Sequence, residues 1–216
     1  MNTEKKHTVA RSLRSLQETY GAPAFYNEKT GQLKRLNEHY WAAWFARTTN
    51  VIYQEESFWQ YDGRSGLWRK AGEPALMNQM LRAIIRRHEQ FAEKVTTSFL
   101  RDVLTQWKGQ PVTREMVPPS RPFIHVQNGV LEFLNGEWQL LPFSPDYFSR
   151  NQLSVSFDPE ARCDRFLNEL LLTAMTEDDV QILKQYMGQC LLGQNISHTF
   201  LILSGTPGGG KGTLVN

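Results

Sequence analysis

The glycine-rich stretch Gly205–Thr213, which carries one lysine, holds the residues with the clearest chemical potential in this chain. Gly205, Gly210 and Lys211 fit the pattern G-x-x-x-x-G-K of a phosphate-binding loop. In such a loop several backbone N–H groups point at one polyphosphate, which requires backbone conformations that glycine adopts at little cost. The lysine neutralises phosphate charge, and the N-terminus of the following helix faces the same anion. The pattern therefore predicts a nucleotide phosphate site.

One position departs from the usual pattern. The residue after the lysine, which usually ligates Mg²⁺ through a hydroxyl group, is Gly212, and Thr213 stands one place later. We therefore expect Thr213 to lie near the metal and to contact it through a water molecule. The predicted site comprises Gly205, Thr206, Pro207, Gly208, Gly209, Gly210, Lys211, Gly212 and Thr213. The alternative is an ordinary glycine-rich turn between a strand and a helix.

Two elements must position this loop. The apolar run at residues 198–204 predicts a strand before it, and a helix would start at its lysine. Only Leu214, Val215 and Asn216 follow Thr213, so we expect the chain to stop where a nucleotide-hydrolysing domain begins. No catalytic residue is predicted.

Composition excludes several classes of protein. Of the 216 residues, 40% are hydrophobic and 21% charged, which is ordinary globular usage. No apolar run approaches the roughly 18 residues of a membrane span, and the first residues lack the apolar segment of a signal peptide. We expect a cytoplasmic protein with no membrane partner. Cys163 and Cys190 lack metal-ligand spacing and predict buried free thiols.

The net charge of +2 is unevenly divided along the chain. Residues 1–121 hold 19 Lys and Arg against 12 Asp and Glu, whereas residues 122–216 hold 5 against 10. An anionic partner would therefore meet the first half. The alternative is a solvated surface with a chance imbalance.

Helical periodicity dominates the first half. Residues 1–19 predict a basic amphipathic helix that ends at Gly21, either a nucleic-acid arm or a surface helix. Helical spacing returns from Arg35 to Arg47, with rings that favour a core face over base stacking: Tyr40, Trp41, Trp44 and Phe45. A further helix spans Glu73–His88, and its basic end either reaches phosphates or complements the helix dipole: Arg82, Arg86, Arg87 and His88.

Turn chemistry defines the strands. An antiparallel meander is predicted from Val51–Tyr53, Phe58–Tyr61 and Leu67–Arg69. Two Asn-Gly turns, at residues 128–129 and 135–136, predict hairpins between strands at 123–126, 130–134 and 138–141. Leu153–Phe157 predicts one more strand. Further helices are predicted at Thr97–Lys108, Asp164–Met175 and Glu177–Leu192, with a proline-rich linker at residues 109–121.

Several short motifs, taken in order, carry a family resemblance. The first is a tryptophan-rich meander at Phe58–Asp62 with Gly66–Trp68, and the second is an N-G-V-L strand at Val126–Leu131. Two proline-bearing turns follow, at Phe143–Tyr147 and Phe157–Ala161. The last two are the helix before the apolar strand, Leu183–Gly188 with Leu192 and Gly193, and the glycine loop, Gly208–Thr213. Over residues 50–216 this order resembles the phage and plasmid primase–helicase family, a branch of superfamily 3 helicases related to the poxvirus-type enzyme.

The resemblance implies the N-terminal part of an ATP-dependent DNA helicase or primase–helicase. It implies an N-terminal helical segment at 1–49, an accessory domain at 50–193 and the start of a P-loop ATPase domain at 194–216. The fold class is then α+β, with helices and small antiparallel sheets that end in the first strand and P-loop of a truncated α/β ATPase domain. The family further implies ATP and Mg²⁺ as cofactors, DNA as a partner and a hexameric homo-oligomer.

We do not expect this chain alone to hydrolyse ATP or unwind DNA. In the family the acidic metal-binding strand, the sensor residue and the arginine finger all follow the P-loop, and phosphoryl transfer needs them. The main alternative is a non-enzymatic DNA-binding or oligomerisation module with a vestigial loop. A small-molecule kinase is disfavoured because such enzymes carry a similar loop at their N-terminus.

The adjacent acids Glu55-Glu56 and Asp178-Asp179 predict solvated or capping roles, and no primase signature is visible.

Overall fold

The computed structural model describes residues 15–110, 115–193, 198–205 and 210–215, and the chain divides into two compact units. Unit 1 comprises residues 1–118 with 144–150, and unit 2 comprises residues 119–143 with 151–216. The first boundary falls between Pro118 and Pro119, inside the proline-rich stretch. Residues 111–114 of that stretch lie outside the described residues, and so do residues 1–14 of the predicted N-terminal helix. Residues 15–20 are helical, and Gly21 ends them with a φ of +80°.

The described residues of unit 1 form two small antiparallel sheets and three main helices. The first sheet pairs β1 with β2, and the second has the order β3-β4-β5, which confirms the predicted meander. The described part of unit 1 also contains two short 3₁₀ helices, Glu89–Lys94 and Pro145–Tyr147. The bounds are β1 Ala24–Tyr26, β2 Leu33–Leu36, α1 Glu38–Thr48, β3 Val51–Gln54, β4 Ser57–Asp62, β5 Leu67–Ala71, α2 Glu73–Arg87 and α3 Thr97–Lys108.

The start of α1 differs from the prediction for a physical reason. Residues 33–36 pair with β1 and therefore cannot belong to the helix that was expected to begin at Arg35. Asn37 instead caps the helix, because its side-chain oxygen accepts a hydrogen bond from the Tyr40 N–H at 3.3 Å. Its amide nitrogen donates to the carbonyl oxygens of Tyr20 and Ala22. The β1–β2 hairpin is absent from the sequence-based predictions.

Aromatic rings form the centre of unit 1. Trp41 is fully buried and packs edge-on against Tyr40 and Phe91, and its indole N–H donates to the Pro23 carbonyl at 3.0 Å. Phe45 stacks on Trp107 with a centroid distance of 6.0 Å. The prediction of a core face on α1 is therefore confirmed, with Trp44 left only half-buried at its margin.

Unit 2 contains one meander and several helical segments. The strands pair in the order β6-β7-β8, as the two Asn-Gly turns predicted. The Asn135-Gly136 turn has φ angles of +54° and +88°, the left-handed conformation that such turns require. The bounds are β6 Phe123–Val126, β7 Gly129–Leu134, β8 Glu137–Leu141, a π-helix Phe166–Leu171 with a helical turn Leu172–Ala174, α4 Glu177–Leu192 and α5 Lys211–Val215.

Two predicted strands of unit 2 do not form. Residues 153–157 lie along the end of β6, where the Leu153 N–H donates to the His125 carbonyl and the Gln127 N–H donates to the Val155 carbonyl, but no continuous ladder develops. Residues 198–205 have no regular structure, and no described strand pairs with them. An apolar pattern favours an extended chain, whereas a strand also needs a neighbouring backbone to bond.

The prediction that the thiols of Cys163 and Cys190 are buried is wrong. Both thiols are free, as expected, but both are exposed. Cys163 precedes the helical residues that begin at 164, so it has no helix face to bury. In α4 the buried residues are Val180 and Leu183, which lie in the first half of the helix, whereas Cys190 lies in its last turn.

Candidate functional site

The glycine loop is described at its two ends. Residues 206–209 and the Thr213 side chain lie outside the described residues, so the predicted roles of Thr206, Pro207, Gly208, Gly209 and Thr213 stay predictions. Gly210 has a φ of +78°, a left-handed conformation suited to glycine, and α5 begins at Lys211. The Lys211 ammonium donates to the Gly205 carbonyl oxygen at 2.9 Å, which joins the two ends. A Cβ at Gly212 would have no atom within 4 Å.

The predicted basic cluster of α2 divides into two parts. Arg82, Arg86 and Arg87 are exposed, and within the described parts of the chain no carboxylate pairs with them. His88 turns inward and stacks on Phe91 with a centroid distance of 4.6 Å. Burial lowers the pKa of the His88 imidazole, and the nearby charge of Arg87 lowers it further.

Arginines of α1 and α2 lie over aromatic rings. The guanidinium of Arg87 is 5.5 Å from the ring centroid of Trp44, and that of Arg47 is 5.8 Å from the ring of Tyr20. Such contacts hold a cation in place without neutralising it. We define the α1–α2 arginine face as Arg47, Arg82, Arg86 and Arg87, none of which has a described acidic partner.

A second cation–aromatic group has its charge neutralised. Arg150 lies 4.0 Å from the ring centroid of Trp59 and donates two hydrogen bonds to the Glu55 carboxylate, at 2.9 and 2.8 Å. These hydrogen bonds lower the pKa of Glu55. Sequence reasoning missed Arg150, because no local spacing connects residue 150 with residues 55 and 59. This group serves the structure of unit 1 and offers little free charge to an anion.

The β1–β2 hairpin contains a third cation–aromatic contact, and sequence reasoning did not predict it. Arg35 lies 4.5 Å from the ring centroid of Phe25, and its guanidinium is 3.8 Å from the Glu38 carboxylate. Phe25 and Tyr26 are 38% and 50% exposed. Exposed rings beside a cation are typical of surfaces on which nucleic-acid bases stack.

The prediction of solvated or capping roles for the adjacent acids is confirmed at the start of α4, whereas Glu55 is held by Arg150. Glu55 and Glu56 form the turn between β3 and β4. Asp179 forms a capping box with Thr176 at the start of α4, and Asp178 lies in the first turn of that helix. No group of three metal-ligating side chains occurs among the described residues, and no helix described here is long and apolar enough to cross a membrane.

Comparison with protein families identifies the main part of the chain. The family model described as D5 N terminal like matches residues 26–172, well over half of the 216 residues. No curated protein matches the chain. The match agrees with the primase–helicase resemblance at the level of an N-terminal region, and it ends before the glycine loop. The chain therefore belongs to the D5 N-terminal-like family.

Proposed function

We propose that this chain is the N-terminal part of an ATP-dependent superfamily 3 DNA helicase or primase–helicase of a phage or plasmid. The family match over residues 26–172 carries the proposal, because that family represents the N-terminal region of primase–helicase-type proteins. In the intact assembly, proposed as a hexameric ring, the loop at 205–213 binds the phosphates of ATP with Mg²⁺. Unit 1 meets DNA.

The ends of the loop support phosphate binding. The Lys211 ammonium donates to a neutral carbonyl, that of Gly205. A phosphate oxygen is a stronger acceptor for the Lys211 ammonium than a neutral carbonyl, because the negative charge of the phosphate adds Coulombic attraction. An entering polyphosphate thus replaces this contact, and the left-handed Gly210 leads directly into the N-terminus of α5. Thr213 is proposed to contact the metal through water.

Nucleotide binding, rather than turnover, tests the loop most directly. Fluorescence anisotropy with labelled ATP and Mg²⁺ should show binding by the wild-type chain and a loss of about tenfold or more for Lys211→Ala. Lys184→Ala, an exposed lysine of α4, is the matched control and should bind as the wild type does. Equal binding by Lys211→Ala and Lys184→Ala would reject a role for Lys211 in phosphate binding, and no binding by the wild type would reject nucleotide binding by this chain alone.

A second candidate function is a non-enzymatic DNA-binding or oligomerisation module with a vestigial loop. The unpaired charge of the α1–α2 arginine face favours it. A DNA-binding surface loses affinity steeply with salt, whereas a pure assembly module binds no DNA. We expect Arg86→Gln with Arg87→Gln to reduce the slope of log affinity against log salt by about 1 to 2. Arg162→Gln in unit 2 should leave the slope unchanged.

A further inference from the structure

The outer edge of β8 is open to solvent. Residues 137–140 of this strand are exposed, and its inner side pairs with β7. Two other strand edges are covered by the chain itself: the Trp68 N–H of β5 donates to the Ser149 carbonyl at 2.8 Å, and the segment 153–157 lies along β6. Within the described part of the chain, no backbone group bonds to the outer edge of β8. An uncovered edge strand is a template for pairing with another strand.

The pairing of β7 with β8 determines which backbone groups point outward. A two-residue turn makes the pair that flanks it hydrogen-bonded, and hydrogen-bonded and non-hydrogen-bonded pairs alternate from there. Phe133, which is opposite Trp138, donates its N–H to the carbonyl of Pro122, just before β6. The Phe133–Trp138 pair is therefore a non-hydrogen-bonded one. The N–H and C=O groups of Trp138 and Leu140 consequently point away from β7.

The same two residues carry exposed apolar side chains. Trp138 and Leu140 are 41% and 40% exposed, and they lie on one face of the sheet because they are two positions apart. Phe133 lies on that face as well, with its ring centroid 5.4 Å from that of Trp138. Natural edge strands avoid pairing by means of proline, lysine or a bulge. The strand β8 has neither residue, and its register with β7 has no shift.

The edge of β8 is complementary to a second copy of itself. When two β8 strands lie antiparallel about Gln139, Trp138 of each copy is opposite Leu140 of the other, and each such pair exchanges both of its N–H···O bonds. Their side chains then lie on the same face of the joined sheet, where cross-strand apolar pairs are stabilising. Glu137 is the charged residue of β8, and it lies opposite Leu141 of the second copy, so that no like charges oppose each other.

We propose that β8 joins two copies of this chain about a two-fold axis and forms one continuous antiparallel sheet with three strands from each copy. Gln139 lies at the axis and faces Gln139 of the second copy. The inference goes beyond the proposed function, because it assigns a partner to unit 2 and depends on neither nucleotide nor DNA. A two-fold contact closes with two copies, so it differs from the head-to-tail contacts of the proposed ring.

The size of the contact determines its strength. A pair of five-residue strands with one neighbouring ring buries less than the roughly 1,200 Å² that separates stable interfaces from weak ones. We therefore expect a reversible dimer whose dissociation constant is micromolar, so that the proportion of dimer changes with protein concentration.

Sedimentation equilibrium of the whole chain, over about 5 to 500 µM, measures this association. We expect a monomer–dimer equilibrium for the wild type. Leu140→Pro removes an outward N–H that takes no part in the pairing with β7, a change that edge strands tolerate, and it should weaken dimerisation about tenfold or more. Trp138→Lys should have a similar effect, because it places a charge in the apolar seam. Ile182→Lys makes the same replacement at an exposed position of α4 and should dimerise as the wild type does.

A disulfide tests the register of the two strands. In a background of Cys163→Ser and Cys190→Ser, Gln139→Cys places two thiols opposite each other at the axis. A non-hydrogen-bonded pair has a Cα separation of about 4.5 Å, which a disulfide accepts. Mild oxidation should therefore yield a covalent dimer from Gln139→Cys and little from the matched Glu137→Cys variant, whose thiols are displaced from each other along the strands.

Three results would overturn the inference and leave the proposed function standing. They are a monomer at every concentration, a dimer that folded Leu140→Pro and Trp138→Lys variants retain unchanged, and equal cross-linking of Gln139→Cys and Glu137→Cys. A monomeric wild type would leave the edge of β8 to a strand of another protein, and loss of the dimer in Ile182→Lys alone would place the contact on α4. An assembly that requires ATP and is lost in Lys211→Ala would concern the proposed ring and not this contact. Circular dichroism of each variant establishes that it is folded.

Discussion

The two units of this chain are stabilised in different ways. Unit 1 has one large cluster of buried residues, which extends from Leu16 to Trp107 and is rich in aromatic rings. Among the described residues of unit 2, Leu171, Val180 and Leu183 form a smaller buried cluster, and Val126, Val130 and Leu131 of the meander are buried as well. The β6–β8 meander of unit 2 depends on glycine-containing turns. Unit 1 therefore has the larger aromatic core, whereas unit 2 combines smaller buried groups with turns whose backbone geometry requires glycine.

Both units pair some arginines with carboxylates, as unit 1 does for Arg35 with Glu38 and Arg150 with Glu55. In unit 2, Arg121 pairs with the buried Glu132 at 2.6 Å, and Arg165 pairs with Glu169 at 3.3 Å. In unit 1, the arginine face has no described acidic partner, and aromatic rings support two of its members, Arg47 and Arg87. Part of the positive charge of unit 1, that of the α1–α2 arginine face, therefore has no described carboxylate partner, and the proposed DNA binding depends on that part.

The largest expected effect tests the dependence of unit 1 on its rings. Trp41→Ala should lower the free energy of unfolding by about 3–5 kcal/mol, because it leaves a large cavity at the centre of the cluster. Leu183→Ala in unit 2 should cost about 2 kcal/mol, since a small cluster collapses more readily around the lost volume. Urea unfolding of both variants measures the difference. A larger loss for Leu183→Ala would contradict the comparison.

The next effect tests the dependence of unit 2 on backbone clearance. A Cβ at Gly129 would lie 2.5 Å from the Leu141 carbonyl oxygen, whereas one at Gly136 meets nothing within 4 Å. Gly129→Ala should therefore cost about 2–3 kcal/mol. Gly136→Ala should cost about 1 kcal/mol, from its left-handed φ alone. Thermal unfolding of both variants measures the two losses of stability. Equal losses would show that the short distance between a Cβ at position 129 and the Leu141 carbonyl does not limit the substitution.

A smaller effect of opposite sign is expected at one turn of unit 1. Glu55 and Glu56 have φ angles of +53° and +55°, which strain residues other than glycine. Glu56→Gly should stabilise the chain by about 0.5–1 kcal/mol, because glycine adopts this conformation freely and the Glu55–Arg150 pair is kept. Glu93→Gly makes the same replacement away from any left-handed position and should destabilise. If both changes destabilise, the strain at the turn is negligible.

The smallest expected effect is a pH dependence of the free energy of unfolding that comes from His88 in unit 1. His88 has a pKa below its usual 6.5, mainly because of burial and then because of Arg87. The unfolded chain therefore binds this proton more readily, so that stability is full above pH 6.5 and is lost as the pH falls through and below that value. Replacing His88 by Phe should reduce the loss of unfolding free energy between pH 7.5 and pH 5.5. An identical pH dependence in both proteins would exclude His88 as its source.

Local chemistry was readable from the sequence. The Asn-Gly turns and the bounds of α3 and α4 depend on residues within one or two turns of each other, and all are as predicted. The family assignment over residues 26–172 also follows from sequence. The role of the glycine loop stays a prediction, because its central residues lie outside the described part of the chain.

Other features were decided by tertiary structure, because they depend on residues far apart in the chain. The pairing of β1 with β2 set the start of α1, and Arg150 reached Glu55 and Trp59 across about 90 residues. The apolar run at 198–204 determined an extended chain, yet a strand needs a partner that no described residue provides. The sequence thus determined a phosphate-loop pattern and a basic first half. Packing of α1 and α2 against α3 decided which arginines are exposed without a described acidic partner, since side-chain exposure is a property of the assembled core.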